Sequence, residues 1–109
     1  MIINKKSLIL DNSKEVKFEY EIRQVIEADM IIVVLLEIPI NDHTVDNIYG
    51  INKDGIKQWR VESHNDKFKE FPYEQMIMKD GKILATDFYG RRYHIRITDG
   101  KIIEKDIVK

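Results

Sequence analysis

From Glu15 to Arg23 the residues alternate without a break. Val16, Phe18, Tyr20 and Ile22 are apolar, while Glu15, Lys17, Glu19, Glu21 and Arg23 are charged. Successive side chains on a strand point to opposite faces, so this stretch forms one apolar and one charged face. On a helix, at about 3.6 residues per turn, the same apolar residues scatter around the cylinder. The pattern predicts a β-strand lying on a core. Arg92 to Thr98 repeats it, with Tyr93, Ile95 and Ile97 inward and Arg92, His94 and Arg96 outward.

The other segments follow the same logic. Glu27-Ala28-Asp29 interrupts the first alternation as a turn. Met30 to Ile38 is apolar on both faces and predicts a central strand covered on both sides. Pro39 ends it, because proline has no N–H for the ladder. Residues 41–47 read as a polar loop. Three Asp-Gly pairs, Asp54-Gly55, Asp80-Gly81 and Asp99-Gly100, each lie between apolar runs and predict hairpins. The runs they join are 47–52 with 56–61, 73–78 with 82–88, and 92–98 with 101–108. Tyr89-Gly90-Arg91 predicts a further turn. The polar stretch 62–72 reads as irregular, with room for a short helix, and Phe68 and Phe71 pin it to the body.

A chain of 109 residues suits one domain, residues 1–109, with most apolar side chains turned inward. It has no cysteine, which favours a reducing compartment. The apolar run Ser7-Leu8-Ile9-Leu10 after Lys5-Lys6 is too short for a signal peptide. Met30–Leu36 falls far short of the roughly 20 residues of a membrane span. The expected location is the cytoplasm. Formal net charge is −1, which gives no overall pull toward nucleic acid or membrane. Residues 1–50 nevertheless hold five Lys/Arg against nine Asp/Glu, and residues 51–109 hold thirteen against ten.

An internal repeat runs through Tyr20–Val61 and Tyr73–Ile107. Each copy opens on Tyr-Glu, continues through an apolar strand pair and a Tyr-x-Ile strand (Tyr49-Gly50-Ile51, Tyr93-His94-Ile95), and closes through Asp-Gly. Asn47-Ile48-Tyr49-Gly50-Ile51-Asn52-Lys53-Asp54-Gly55-Ile56-Lys57-Gln58-Trp59-Arg60-Val61 resembles the repeat of pyrroloquinoline-quinone-type β-propellers, where a Tyr strand turns through glycine into a Trp strand. Residues 80–91 are similar to the preceding hairpin of such a blade. The resemblance spans residues 47–108 and implies four-stranded antiparallel meanders. The second copy has Ile103 or Glu104 where the Trp would stand, and two blades do not close a ring. The meander is therefore carried over without the quinone, and no cofactor is expected. The expected architecture is all-β: an antiparallel two-sheet β-sandwich built from two meander repeats. Its expected core is Phe18, Tyr20, Ile22, Ile32, Val34, Leu36, Ile48, Trp59, Met76, Leu84, Tyr93, Ile95 and Ile97.

Catalytic signatures are absent from the sequence. Ser7, Ser13 and Ser63 sit in no nucleophile elbow, and the five glycines are spaced as turns rather than as a phosphate loop. His43, within residues 41–46, has oxygen donors nearby, but a metal site takes three or four convergent ligands and no such set stands out. Nineteen acidic residues allow many carboxylate pairs, and nothing selects one. The chain reads as non-enzymatic, with no metal.

Two surfaces stand out. Glu27, Asp29, Glu37, Asp42 and Asp46 flank the apolar strand 30–38 and suggest an acidic rim suited to a basic protein partner. Tyr89, Arg91, Arg92 and Arg96 interleave aromatic and basic side chains, as a nucleic-acid surface would. The solvated face of a strand is the simpler explanation, so nucleic acid is not the expected partner. The favoured function is a cytoplasmic protein-binding module, most concretely a bacterial toxin-neutralising immunity protein that covers its partner's active site. The alternative is a small-ligand or carbohydrate-binding β-sandwich accessory domain presenting Trp59 or Tyr89 on a concave surface.

Overall fold

The computed structural model describes residues 1–63 and 71–107. The described chain is all β, in three antiparallel sheets. The first contains β1 (Ile2–Asn4), β2 (Ser7–Ile9) and β3 (Glu15–Lys17). A middle sheet contains β4 (Ile22–Glu27), β5 (Ile31–Leu36), β6 (Ile48–Asn52) and β7 (Lys57–Arg60). The last contains β8 (Tyr73–Lys79), β9 (Lys82–Asp87), β10 (Arg91–Arg96) and β11 (Ile102–Ile107). Each sheet follows chain order, so the two expected four-stranded meanders are the middle and last sheets. His64, Phe68 and most of the 62–72 stretch lie outside the described residues.

The sequence reading of two sheets is corrected to three. The reason lies in β5, whose side chains are buried on both faces. Val33 and Leu35 join Ile48, Trp59, Tyr73, Met76, Ile83, Ala85, Tyr93 and Ile95 in one core cluster, shared with the last sheet. Ile32, Val34 and Leu36 join Leu8, Leu10, Val16, Phe18 and Ile51 in a second cluster, shared with the first sheet. A strand apolar on both faces needs two covers, and one partner sheet supplies only one.

The alternation at 15–23 holds in exposure but not as one strand. Val16 and Phe18 are buried, Tyr20 and Ile22 half-buried, and the five charged residues exposed. β3 stops at Lys17 and β4 begins at Ile22, in a different sheet. Between them, Phe18 N–H donates to the Lys6 carbonyl and Ile22 N–H to the Lys5 carbonyl, both at 2.8 Å. The chain crosses between sheets while keeping its apolar side on the same cluster. The central strand is also shorter than the run 30–38. Ala28 N–H closes the β4–β5 turn on the Ile31 carbonyl at 2.9 Å, leaving Met30 exposed at its tip.

All three Asp-Gly pairs connect hairpins, β6–β7, β8–β9 and β10–β11. Asp80 and Gly81 both take positive φ (52° and 77°) in a two-residue turn, as a primed hairpin turn requires. The expected core residues are buried or half-buried. Leu84 is the exception in place: it lies on the opposite face of β9 from Ile83 and Ala85, paired with His94. Among the described residues no helix is long and apolar enough to cross a membrane.

Two side-chain amides join the middle sheet to the last one. Gln24 on β4 donates to the Met76 carbonyl (2.6 Å) and accepts from the Met76 N–H (2.9 Å), imitating a ladder pair between sheets. Asn47, fully buried, donates to the carbonyls of Leu36 (2.8 Å) and Tyr73 (2.9 Å) and accepts from the Tyr73 N–H (2.9 Å). At the other edge, Trp59 Nε1 donates to the Ile97 carbonyl at 2.8 Å. The Trp59 indole lies so close to Gly50 and Gly100 that a methyl group added at either would overlap it.

Asn47→Ala strands a buried N–H and two carbonyls, so it should cost about 3 kcal/mol. Urea unfolding should show a lower midpoint with an unchanged slope. Gly50→Ala should cost about 2 kcal/mol by overpacking, and much less in a Trp59→Leu background. Equal costs in both backgrounds would contradict the close packing of indole on glycine.

Candidate functional site

Proline at 39 takes the chain out of the middle sheet, and the loop after β5 carries Pro39 and Ile40 into solvent while Ile38 stays half-buried against the second cluster. Ile40 is 100% exposed. The loop is held in shape by Asp42. Its carboxylate accepts from the Tyr20 hydroxyl (2.6 Å) and the Thr44 N–H (2.8 Å). Those hydrogen bonds, Tyr20's first and then those of Thr44, hold the Asp42 carboxyl below its ordinary pKa. The Tyr20 hydroxyl is correspondingly raised.

Facing this loop is a shelf of aromatics. Asp87, buried at the end of β9, accepts from the N–H groups of Tyr89 and Arg91 (both 3.0 Å) and from Arg91 Nε (2.7 Å). That knot forces Phe88 and Tyr89 out at the turn tip, 73% and 66% exposed. The Tyr89 ring meets Phe71 edge-on at 4.7 Å and Phe88 at 5.8 Å. Loop and shelf enclose a cleft of about 360 Å³, walled by Ile38, Pro39, Ile40, Val45, Phe71, Pro72 and Phe88. Asp42, His43, Thr44 and Glu74 supply its polar groups, and no lysine or arginine lines it among the described residues.

The five acidic residues singled out in the sequence do not form one rim. Glu37, Asp42 and Asp46 lie together on the loop after β5. Glu27 and Asp29 lie at the other end of that six-residue strand, roughly 20 Å away at strand spacing. Glu27 pairs with Lys53 at 3.0 Å. Glu37 shares Arg23 with Glu74, at 3.5 and 3.1 Å. The Asp46 carbonyl accepts from Arg60 Nε at 2.7 Å.

Each arginine of the aromatic–basic set has an aspartate. Arg91 pairs with Asp87 (2.7 Å), Arg92 with Asp106 through two 2.8 Å hydrogen bonds, and Arg96 with Asp99 (3.1 Å). The Arg92 hydrogen bond pulls the Asp106 carboxyl down to about 2. His94, expected outward, is on that face but only 7% exposed. Its ring nitrogens face Glu104 (3.1 Å) and Asp106 (3.4 Å). Among the described residues no three His, Asp or Glu side chains converge on a metal position. Of this set, Tyr89 and Arg91 both reach the shelf, Tyr89 edge-on to Phe71 and the Arg91 guanidinium over the same ring at 5.9 Å, while Asp42 is the member of the acidic set that lines the cleft. Sequence reasoning missed Ile38, Ile40, Val45 and Phe88. The signals were an apolar triplet centred on a proline and two aromatics before Gly90, a turn position that should be polar.

Comparison with known proteins places this architecture. Residues 2–107 match the model of a family described as a domain of unknown function (DUF7957). The chain belongs to the DUF7957 family. No curated protein matches it. Among solved structures it is similar to the computationally designed Ika8 protein, with a TM-score of 0.60 and 13% identity. The match covers 85% of this chain and 26% of the designed chain, so this chain spans about a quarter of that protein's length. At such low identity the likeness concerns the fold alone.

Asp42 is the group to titrate in this DUF7957 domain. A carboxyl whose pKa is lower folded than unfolded stabilises the fold above the unfolded value, and that contribution fades as pH falls through the folded value. Tyr20→Phe removes the largest cause. The Asp42 carboxyl ¹³C resonance should then titrate higher, nearer the ordinary aspartate range, and the acid-side loss attributable to Asp42 should shrink. An unchanged titration would show that Tyr20 does not hold Asp42.

Proposed function

We propose that this DUF7957 domain is a non-enzymatic protein-binding module working in the cytoplasm, most concretely an immunity protein that covers the active site of a basic toxin. One observation carries the reading: exposed apolar side chains and carboxylates occupy the same end of the molecule. Ile40, Phe88 and Tyr89 offer apolar area that a monomer gains nothing by exposing. Beside them, Glu37, Asp42 and Glu74 set three negative charges against the one positive charge of Arg23. An apolar centre with a charged border is how protein interfaces are built. The excess charge favours a basic partner and speeds its approach.

A second reading is a small-ligand or carbohydrate site, favoured by the cleft's volume and by Tyr89 at its edge. Trp59, the other aromatic considered for that role, is 9% exposed and committed to the core.

The full-length tagged chain should retain one basic protein from its native cells through stringent washing. With that partner purified, Phe88→Ala should weaken binding by about 2 kcal/mol, as loss of an interface anchor does. Asp42→Lys should slow association most at low salt. A partner that binds both variants as well as wild type would contradict this surface. A melting-temperature rise with a sugar or nucleotide, and no protein partner, would favour the second reading.

A further inference from the structure

We infer that the cleft between the 38–45 loop and the Phe71–Phe88 shelf receives an arginine side chain of the partner, flanked by an apolar residue. This rests on the protein-binding reading and names the chemistry recognised there. The walls are apolar and partly aromatic, and they suit the methylene stem and the flat face of a guanidinium. The polar groups include two carboxylates, Asp42 and Glu74, beside His43, and no lysine or arginine lines the cleft among the described residues. Arg23 approaches Glu74 from one side but divides its charge between Glu74 and Glu37. Among the described residues that line the cleft, the carboxylates therefore outnumber the lysines and arginines. Asp42 is also held in place, with the Tyr20 hydroxyl on one carboxylate oxygen and the Thr44 N–H on the other, and a carboxylate can accept further donors beyond these. A prearranged carboxylate beside an aromatic wall favours the planar fork of arginine over the point charge of lysine.

The probe is the peptide acetyl-Leu-Arg-Leu-amide, compared with its citrulline counterpart, which keeps the shape and loses the charge. Each is titrated into the ¹⁵N-labelled full chain to millimolar concentrations. The arginine peptide should give saturable shifts at the amides of Asp42–Val45, Glu74 and Phe88, with at least about tenfold weaker binding for citrulline, a difference of about 1.4 kcal/mol. Asp42→Asn and Glu74→Gln should each weaken the arginine peptide and leave the citrulline peptide unchanged. Glu27→Gln, at the far end of the middle sheet, should change neither. The variants' own spectra report whether each remains folded. Equal binding of the two peptides, shifts elsewhere, or no saturable shift would overturn the inference. If a natural partner is captured while the peptides fail to discriminate, the cleft assignment falls and the protein-binding reading stands. If the peptides behave as expected and no protein partner exists, the reverse holds.

Discussion

The architecture depends on one strand having no polar face. Residues 32–36 of β5 are all buried, and their side chains divide between two separate apolar clusters. Each face of such a strand must be removed from water, at roughly 25 cal/mol per Å² of apolar surface. A single meander cannot do that alone. The last sheet covers one face, and the short strands of residues 2–17 cover the other. The middle sheet is thus the only one of the three with apolar neighbours on both sides among the described residues.

Polar groups then fix how the layers register. Apolar contact is non-directional and lets sheets slide. Hydrogen bonds between sheets do not, and the half-buried amide of Gln24 and the buried amide of Asn47 make them to the backbone of β8. Asn47 also binds the Leu36 carbonyl, at the point where β5 ends and the 37–46 loop leaves the sheet. The same residue that ties the sheets together therefore sets where the candidate site begins. The shelf opposite is set by Asp87, buried where β9 ends. Two buried polar anchors, one on each sheet, hold the two walls of the cleft.

Much of this was legible in the sequence because it follows local rules. The alternating stretches gave the correct inward and outward residues at 15–23. The Asp-Gly pairs marked three hairpins, and the run 30–38 marked a strand covered twice. What escaped is non-local or lacks a residue signature. The crossing at Phe18–Glu21 keeps the strand period while changing sheets, so periodicity does not reveal it. The first hairpin turns at Lys5, with φ of 56° on an ordinary side chain and no glycine to announce it. Gln24 and Asn47 read as a solvated position and a loop residue, since nothing local marks an amide that will meet a backbone about fifty or twenty-six residues away. The acidic residues were read by their nearness in sequence to one strand. A strand separates its two ends, so only three of the five came together, and their apolar companions come partly from the same loop and partly from two distant segments, at Phe71 and at Phe88.

Native-state hydrogen exchange, followed amide by amide, tests the layered account most directly. If β5 is covered on both faces, the amides of Val33 to Leu36 should exchange only through global unfolding, more slowly than any amide of the edge strands β7 and β11. Exchange of those amides at the rate of the edge strands would contradict a middle sheet enclosed on both sides.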